Sequence, residues 1–282
     1  VDVLEVADAL LPRLDPEVAR ALSARLRVLG VSLHLSTRAE GLRDAPAGSE
    51  AALQVLARPV GGSGSGPRAD VSLEIPADLV LVSVGRSPNS ADLGLESLGV
   101  ATDAQGFIRV DEQQRCSVPN IYAVGDVVGG PLLAHKAYRE AKVAAEVIAG
   151  GAAAFDNLVI PAVVYTDPEI AWAGLSEREA RAQGFEVLTG AFPFRASGRA
   201  LTLNAAEGFV KTIADAATKR ILGVTIVGKD AGELIGEAAL AIEMGAFLDD
   251  LSQTIHPHPS LSEAILESVE AALGEAIHIV NP

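Results

Sequence analysis

The sequence predicts an α/β fold followed by an α+β fold, and three observations carry that prediction. A strand–helix–strand order opens the chain. Apolar runs near the middle stop at Gly-Arg and at Gly-Asp. From about residue 155, strand-like runs follow one another before helices take over. The first two are features of a parallel sheet with crossover helices, and the third marks a separate, mainly antiparallel α+β unit.

Residues 1–5 are rich in Val and Leu and alternate weakly, as a strand does. Asp15 is placed to cap a helix with Pro16 at its first position and Gly30 as its stop, and residues 31–35 form the next strand. Glu5 falls at the C-terminal end of the first strand. In a dinucleotide-binding βαβ unit an acid there accepts hydrogen bonds from ribose hydroxyls and repels a 2′-phosphate; read alone, it is an ordinary strand-end acid. Residues 50–75 read as hairpin strands around the turn at 61–67 (Gly-Gly-Ser-Gly-Ser-Gly-Pro), a flexible loop without function. The apolar run 78–86 predicts a buried parallel strand, with Gly85 letting a backbone pass close to a cofactor; the bland alternative is a tight turn after a core strand. Residues 107–111 and 121–126 read as short strands, the second ending in Gly125-Asp126. Leu132-Leu133-Ala134-His135 then opens a helix that ends near Gly150. An aspartate at a strand end beside a helix N-terminus can grip a sugar-like chain while amides approach an electron-rich ring, although Gly-Asp is also a common turn.

In the second half, residues 162–165, 185–194, 208–213 and 221–227 read as a mainly antiparallel sheet. A helix over 176–183 carries a capping box, Ser176 with Glu179. A second helix spans 232–244 and is rich in Gly and Ala, which permits close packing within or between subunits. A third follows Pro259.

A chain of 282 residues with 49% hydrophobic and 21% charged residues allows two or three compact units. No apolar run reaches the length of a membrane-spanning helix, so no membrane partner is expected. The net charge of −15 argues against nucleic acid and is compatible with a basic protein partner. The single cysteine, Cys116, excludes an internal disulfide framework, a cysteine metal cluster and a redox dithiol within these residues. It also fits a reducing, cytoplasmic setting. No signal peptide is visible, and the chain opens inside a strand without Met, so it is expected to be part of a longer polypeptide.

The most informative stretch is His256-Pro257-His258-Pro259-Ser260-Leu261-Ser262-Glu263. It sets an imidazole just before a helix and a carboxylate on the first turn. A carboxylate that accepts a proton from one ring nitrogen fixes the tautomer and raises the basicity of the other, which makes a general acid/base pair. The same spacing fits a surface histidine in a Pro-rich turn beside an acid favoured by the helix dipole.

Taken in order, the motifs resemble those of the flavin-dependent (class I pyridine nucleotide–) disulfide oxidoreductases, most closely the dihydrolipoamide dehydrogenase branch. The matching runs are Val84-Gly85-Arg86-Ser87-Pro88-Asn89, Pro119-Asn120-Ile121-Tyr122-Ala123-Val124-Gly125-Asp126, Leu133-Ala134-His135-Lys136, Tyr165-Thr166-Asp167-Pro168-Glu169-Ile170-Ala171-Trp172, Ala196-Ser197-Gly198-Arg199-Ala200, Gly232-Glu233-Leu234-Ile235 and the closing His-Pro-Ser-Leu-Ser-Glu. The resemblance implies a partial Rossmann-like NAD-binding domain over 1–95, a segment returning to an FAD domain over 96–153, and an antiparallel α+β dimerisation domain over 154–282. It implies that a redox cysteine pair and an N-terminal FAD domain lie outside this sequence.

By the same resemblance, His258 is the base and Glu263 its orienter, with a cis peptide bond at His258-Pro259. Asp126, Leu132, Leu133, Ala134 and His135 hold FAD; Glu5, Ala39 and Gly85 line the NAD site; no metal is involved. His256, Cys116, Trp172 and Met244 are read as structural. The implied activity is FAD-dependent oxidation of protein-bound dihydrolipoamide with reduction of NAD+, in a homodimer that meets the lipoyl domains and peripheral subunit-binding domain of a 2-oxo acid dehydrogenase complex. The alternatives are a glutathione- or mercuric-type flavin reductase, or a non-catalytic dimerisation fragment. The isolated chain is expected to be colourless and without turnover.

Overall fold

A computed structural model describes residues 1–60 and 72–281, so the turn at 61–67 lies outside the described residues. The chain divides into two compact units: Val1–Val82 together with Val163–Pro282, and Ser83–Ala162.

In the first unit, β1 (Asp2–Leu4) and β2 (Ser32–His34) pair in parallel, with Val3 opposite Leu33, and α1 (Pro16–Val28) lies between them in sequence. Proline at the first helical position costs no hydrogen bond there. The face of α1 carrying Val18, Ala19 and Leu22 is buried. Leu14, Val18 and Leu22 join Ile170 and Val227 in one cluster, each side chain contributing roughly 1.5–3 kcal/mol by burial. β3 (Thr37–Asp44), β4 (Leu53–Pro59) and β5 (Leu73–Ala77) form an antiparallel meander in that order.

The run at 78–86 corrects an expectation: it is not a strand, and Leu79, Leu81, Val82 and Val84 are exposed. A strand buried on both faces needs a ladder partner, and among the described residues no strand pairs with this segment.

The second unit holds α2 (Leu95–Leu98) and α3 (Ala134–Ile148). The two short strands expected here are instead single bridges, Thr102 with Ile108 and Arg115 with Tyr122. Their alternating side chains still do what the pattern predicted: Val100, Ile108 and Ala123 form a core against which Val110, Cys116, Val118 and Ile121 pack. Side-chain period alone reports burial, not a ladder. The Ile121 run closes in a 3-10 turn, Gly125–Val128.

The remainder of the first unit is a five-stranded sheet. Its strands are β6 (Ala162–Val164), β7 (Ile170–Gly174), β8 (Val187–Pro193), β9 (Phe209–Asp215) and β10 (Ile221–Val227), in the order β6-β7-β10-β9-β8. β10 is antiparallel to β7 and β9, and β8 to β9. β7 was not foreseen as a strand. Helices α4 (Glu177–Ala182), α5 (Gly198–Thr202), α6 (Ala231–Glu243), α7 (Leu248–Ser252) and α8 (Glu263–Leu273) complete the unit. The Ser176–Glu179 capping box is formed in both directions. α6 packs on β7 and β10, and α8 on β8 and β9. A buried hydroxyl pair, Thr212 with Ser268 at 2.7 Å, ties α8 to β9. Gly190 lets α8 approach β8: a Cβ there would lie 2.1 Å from the Ser268 carbonyl oxygen and 2.2 Å from the Ala272 nitrogen.

Asp15 stands at the start of α1 but does not cap it. Its carboxylate accepts from the N–H groups of Glu177 and Arg178 at 3.2 and 3.4 Å, and from Lys211 Nζ at 3.0 Å. Lys211 also bonds Glu17 and Glu177. Burial alone would lower the Lys211 ammonium, but the three carboxylates outweigh it and raise it above the usual lysine range.

Candidate active site

Packing places the histidine–glutamate pair. α8 buries Ala264, Ile265, Ser268 and Val269, and this fixes where its first residue, Glu263, sits. One Glu263 oxygen meets His258 Nδ1 at 2.8 Å. The other accepts the Ser260 N–H at 2.7 Å, while the Ser260 hydroxyl accepts the Glu263 N–H at 3.4 Å. With both oxygens held, the carboxylate cannot swing away. It requires a proton on Nδ1, so Nε2 is the nitrogen left to take one. The His258 side chain is 72% exposed and that of Glu263 only 22%, so the ring faces outward on a half-buried anchor. Burial would raise the Glu263 carboxyl, but the Ser260 N–H and the His258 ring overcome it and hold it below the usual carboxylate range. The His258–Pro259 peptide is cis, as is Asp167–Pro168.

Two further histidines pair with acids nearby in sequence. His256 has Nδ1 2.9 Å from the Thr254 carbonyl and Nε2 2.7 Å from Glu237, and its side chain is 5% exposed. Both nitrogens face acceptors within the protein. His278 Nδ1 bonds the buried Glu267, whose hydrogen bond raises the imidazole above its usual range against a smaller effect of burial. Cys116 is half-buried, and burial pushes its thiol up, away from the thiolate that redox chemistry needs.

In the second unit, the turn after Val124 carries Asp126 outward. Arg86 Nη1 donates to Asp126 at 3.1 Å and to the Leu132 carbonyl at 3.1 Å, bringing the strand-end acid and the start of α3 together. No side chain caps α3 at Leu133, so its first amides are available to an electron-rich atom. The His135 ring bonds the Pro161 carbonyl at 2.7 Å, leaving the backbone as this residue's contribution. An exposed carboxylate beside uncapped helix amides fits the ribityl chain and ring of FAD.

For NAD, Glu5 directly follows β1 and one of its oxygens accepts the Ala7 N–H at 2.7 Å; the other can accept a ribose hydroxyl. Ala39 is exposed on β3, whose first residue, Thr37, donates its N–H to the Glu5 carbonyl. Gly85 belongs to the second unit; its φ is +133° and a Cβ would meet nothing within 4 Å, which fits close passage of a ligand.

Sequence reasoning gave no role to Arg86, Lys136 or Glu140. The last two are legible as an i,i+4 pair on a helix, but their burial is not.

The family model described as pyridine nucleotide-disulphide oxidoreductase matches residues 1–141, and its dimerisation domain matches residues 160–269. Dihydrolipoyl dehydrogenase of Haloferax volcanii is 46% identical over 282 residues, covering 100% of this chain and 57% of that protein. That of Thermus scotoductus is 48% identical over 281 residues, covering 100% and 58%. The HOCl-induced flavoprotein disulfide reductase RclA of Escherichia coli superposes with a TM-score of 0.83 at 28% identity, over 96% of this chain and 59% of RclA. The chain thus spans somewhat less than two thirds of the length of these relatives. Both halves of the sequence match the same family, and the fold follows it: the chain belongs to the pyridine nucleotide-disulphide oxidoreductases.

Proposed function

We propose that this chain carries the acid/base and dimerisation half of a dihydrolipoyl dehydrogenase: dihydrolipoamide and NAD+ give lipoamide, NADH and a proton. The observation that carries the proposal is the outward-facing His258 ring, held at 2.8 Å by Glu263 within the dimerisation-domain match. Identities of 46–48% with dihydrolipoyl dehydrogenases, against 28% with RclA, favour lipoamide over the other disulfide substrates of the family.

His258 Nε2 takes the proton of a substrate thiol, and the thiolate so formed attacks a protein disulfide. Glu263 stabilises the resulting imidazolium and returns the ring to the same tautomer. A positioned base of this kind accelerates thiol attack by roughly 10²- to 10⁴-fold. FAD, when bound, would supply the two-electron relay between the dithiol and NAD+. Asp126 would hold its ribityl chain and the Leu132-to-His135 backbone would approach its ring; in the first unit Glu5 and Ala39, and in the second unit Gly85, are the residues assigned to NAD+. The base serves the redox disulfide of a second subunit of the full-length protein, so the working unit is a homodimer. In this reading residues 1–95 bind NAD, 96–153 belong to the FAD domain and 154–282 form the interface. The partners are lipoyl and peripheral subunit-binding domains of a 2-oxo acid dehydrogenase complex in the cytoplasm. A net charge of −15 suits a basic partner.

Full-length protein assayed with dihydrolipoamide, glutathione disulfide and Hg(II) tests the reading. Turnover confined to dihydrolipoamide and NAD+ is expected; preference for either other substrate would reassign the enzyme.

A further inference from the structure

The second unit contains a buried ion pair that the mechanism above does not use. Lys136 and Glu140 lie on one face of α3, Nζ to Oε1 at 2.7 Å, with side chains only 6% and 4% exposed. A buried pair of this kind seldom adds stability over an apolar pair, because desolvating both charges offsets their attraction. Its partners show what else it does. The second Glu140 oxygen accepts the Gly125 N–H at 2.7 Å, and Lys136 Nζ lies 3.4 Å from the Gly125 carbonyl. Both backbone groups of a single glycine are therefore held by the pair. Gly125 has a φ of +82°, and a Cβ there would sit 3.3 Å from the Ala137 Cβ. The glycine is pressed against the same helix that grips it, and the next residue is Asp126.

We infer that Lys136 and Glu140 are positioning residues for flavin. They lock the turn presenting Asp126 to the helix start whose amides face the ring, so both halves of the flavin site move as one body. Arg86 completes the lock from the solvent side, bonding the Asp126 carboxylate and the Leu132 carbonyl. This rests on the FAD assignment made above. A site held in its binding geometry beforehand avoids the ordering cost at the moment of binding.

The test uses the full-length protein. The double variant Lys136→Met/Glu140→Leu replaces the pair with apolar residues of similar size; it should still fold, with a modest fall in thermal midpoint because the buried Gly125 N–H and carbonyl lose their partners. Its FAD dissociation constant, followed by flavin fluorescence, should nevertheless rise by about tenfold or more, the scale on which metal sites lose affinity when the groups orienting their ligands are removed, and the visible circular dichroism of bound flavin should change. A double variant with parental midpoint, FAD affinity and dichroism would overturn the inference. Should that variant fail to fold, amide exchange on the parent decides: the Gly125 N–H should be protected already in flavin-free protein. Protection that arises only when FAD is added would refute a preformed clamp. Asp126→Ala separates the two readings. If it leaves FAD affinity unchanged, or the parent binds no flavin, the cofactor assignment itself fails; if it weakens FAD while the double variant does not, only the clamp fails.

Discussion

An exposed imidazole is an ordinary surface feature until something fixes its tautomer. Glu263 does this for His258, with both oxygens committed. The pairing has a pH signature. The Glu263 carboxyl is held below its unfolded value, so its share of stability is present above that value and is lost as pH falls through the lower, folded one. Midpoints of the parent and Glu263→Ala, compared across pH, should therefore differ at neutral pH and converge in acid. His278 has the opposite sign: its folded value is raised above 6.5. The stabilisation it gains from Glu267 is complete below that pH and fades as pH rises through the folded value. The parent and His278→Asn should differ in mild acid and converge in base. Convergence at the wrong end in either series would contradict the pairing.

At the scale of elements, the pair depends on where α8 rests. Gly190→Ala would drive a Cβ into the α8 backbone. A loss of about 1–3 kcal/mol is expected from overpacking, with turnover falling as Glu263 shifts; an unchanged midpoint in denaturant would show that α8 is not seated as described. Lys211 joins the starts of α1 and α4 to β9 through Asp15, Glu17 and Glu177. Lys211→Met leaves buried Asp15 uncompensated and should cost about 3–5 kcal/mol, read by the same denaturation. The helices α1, α3, α4, α6 and α8 were legible from local signals: the Pro16 start of α1, the Ser176–Glu179 capping box of α4, glycine stops and apolar or small-residue spacing. The Asp15 carboxylate was not, since it bonds residues more than 160 positions away in sequence. Nor was the fate of 78–86: its composition is that of a core strand, but a strand exists only beside another one. The His258–Glu263 pair was readable because its members are five positions apart in sequence, whereas the Gly125 clamp needed the burial of Lys136 and Glu140 to be known.

For the whole molecule, the outward-facing His258 ring sits within the dimerisation-domain match, and the proposed chemistry crosses between copies. This permits a complementation experiment. Subunits carrying His258→Gln, mixed and reassembled with subunits lacking their redox cysteines, should regain activity, because each heterodimer keeps one site with both groups intact. Mixtures that stay inactive would mean the base serves its own subunit. The central claim is that His258 removes a proton from the dithiol and does nothing for the nicotinamide half of the cycle. The most direct measurement compares two rates in full-length His258→Gln: dihydrolipoamide oxidation by NAD+, and NADH oxidation by ferricyanide. The first should fall by roughly 10²- to 10⁴-fold while the second stays near the parental rate. Equal losses in both, or none in the first, would contradict the assignment of His258 as the base.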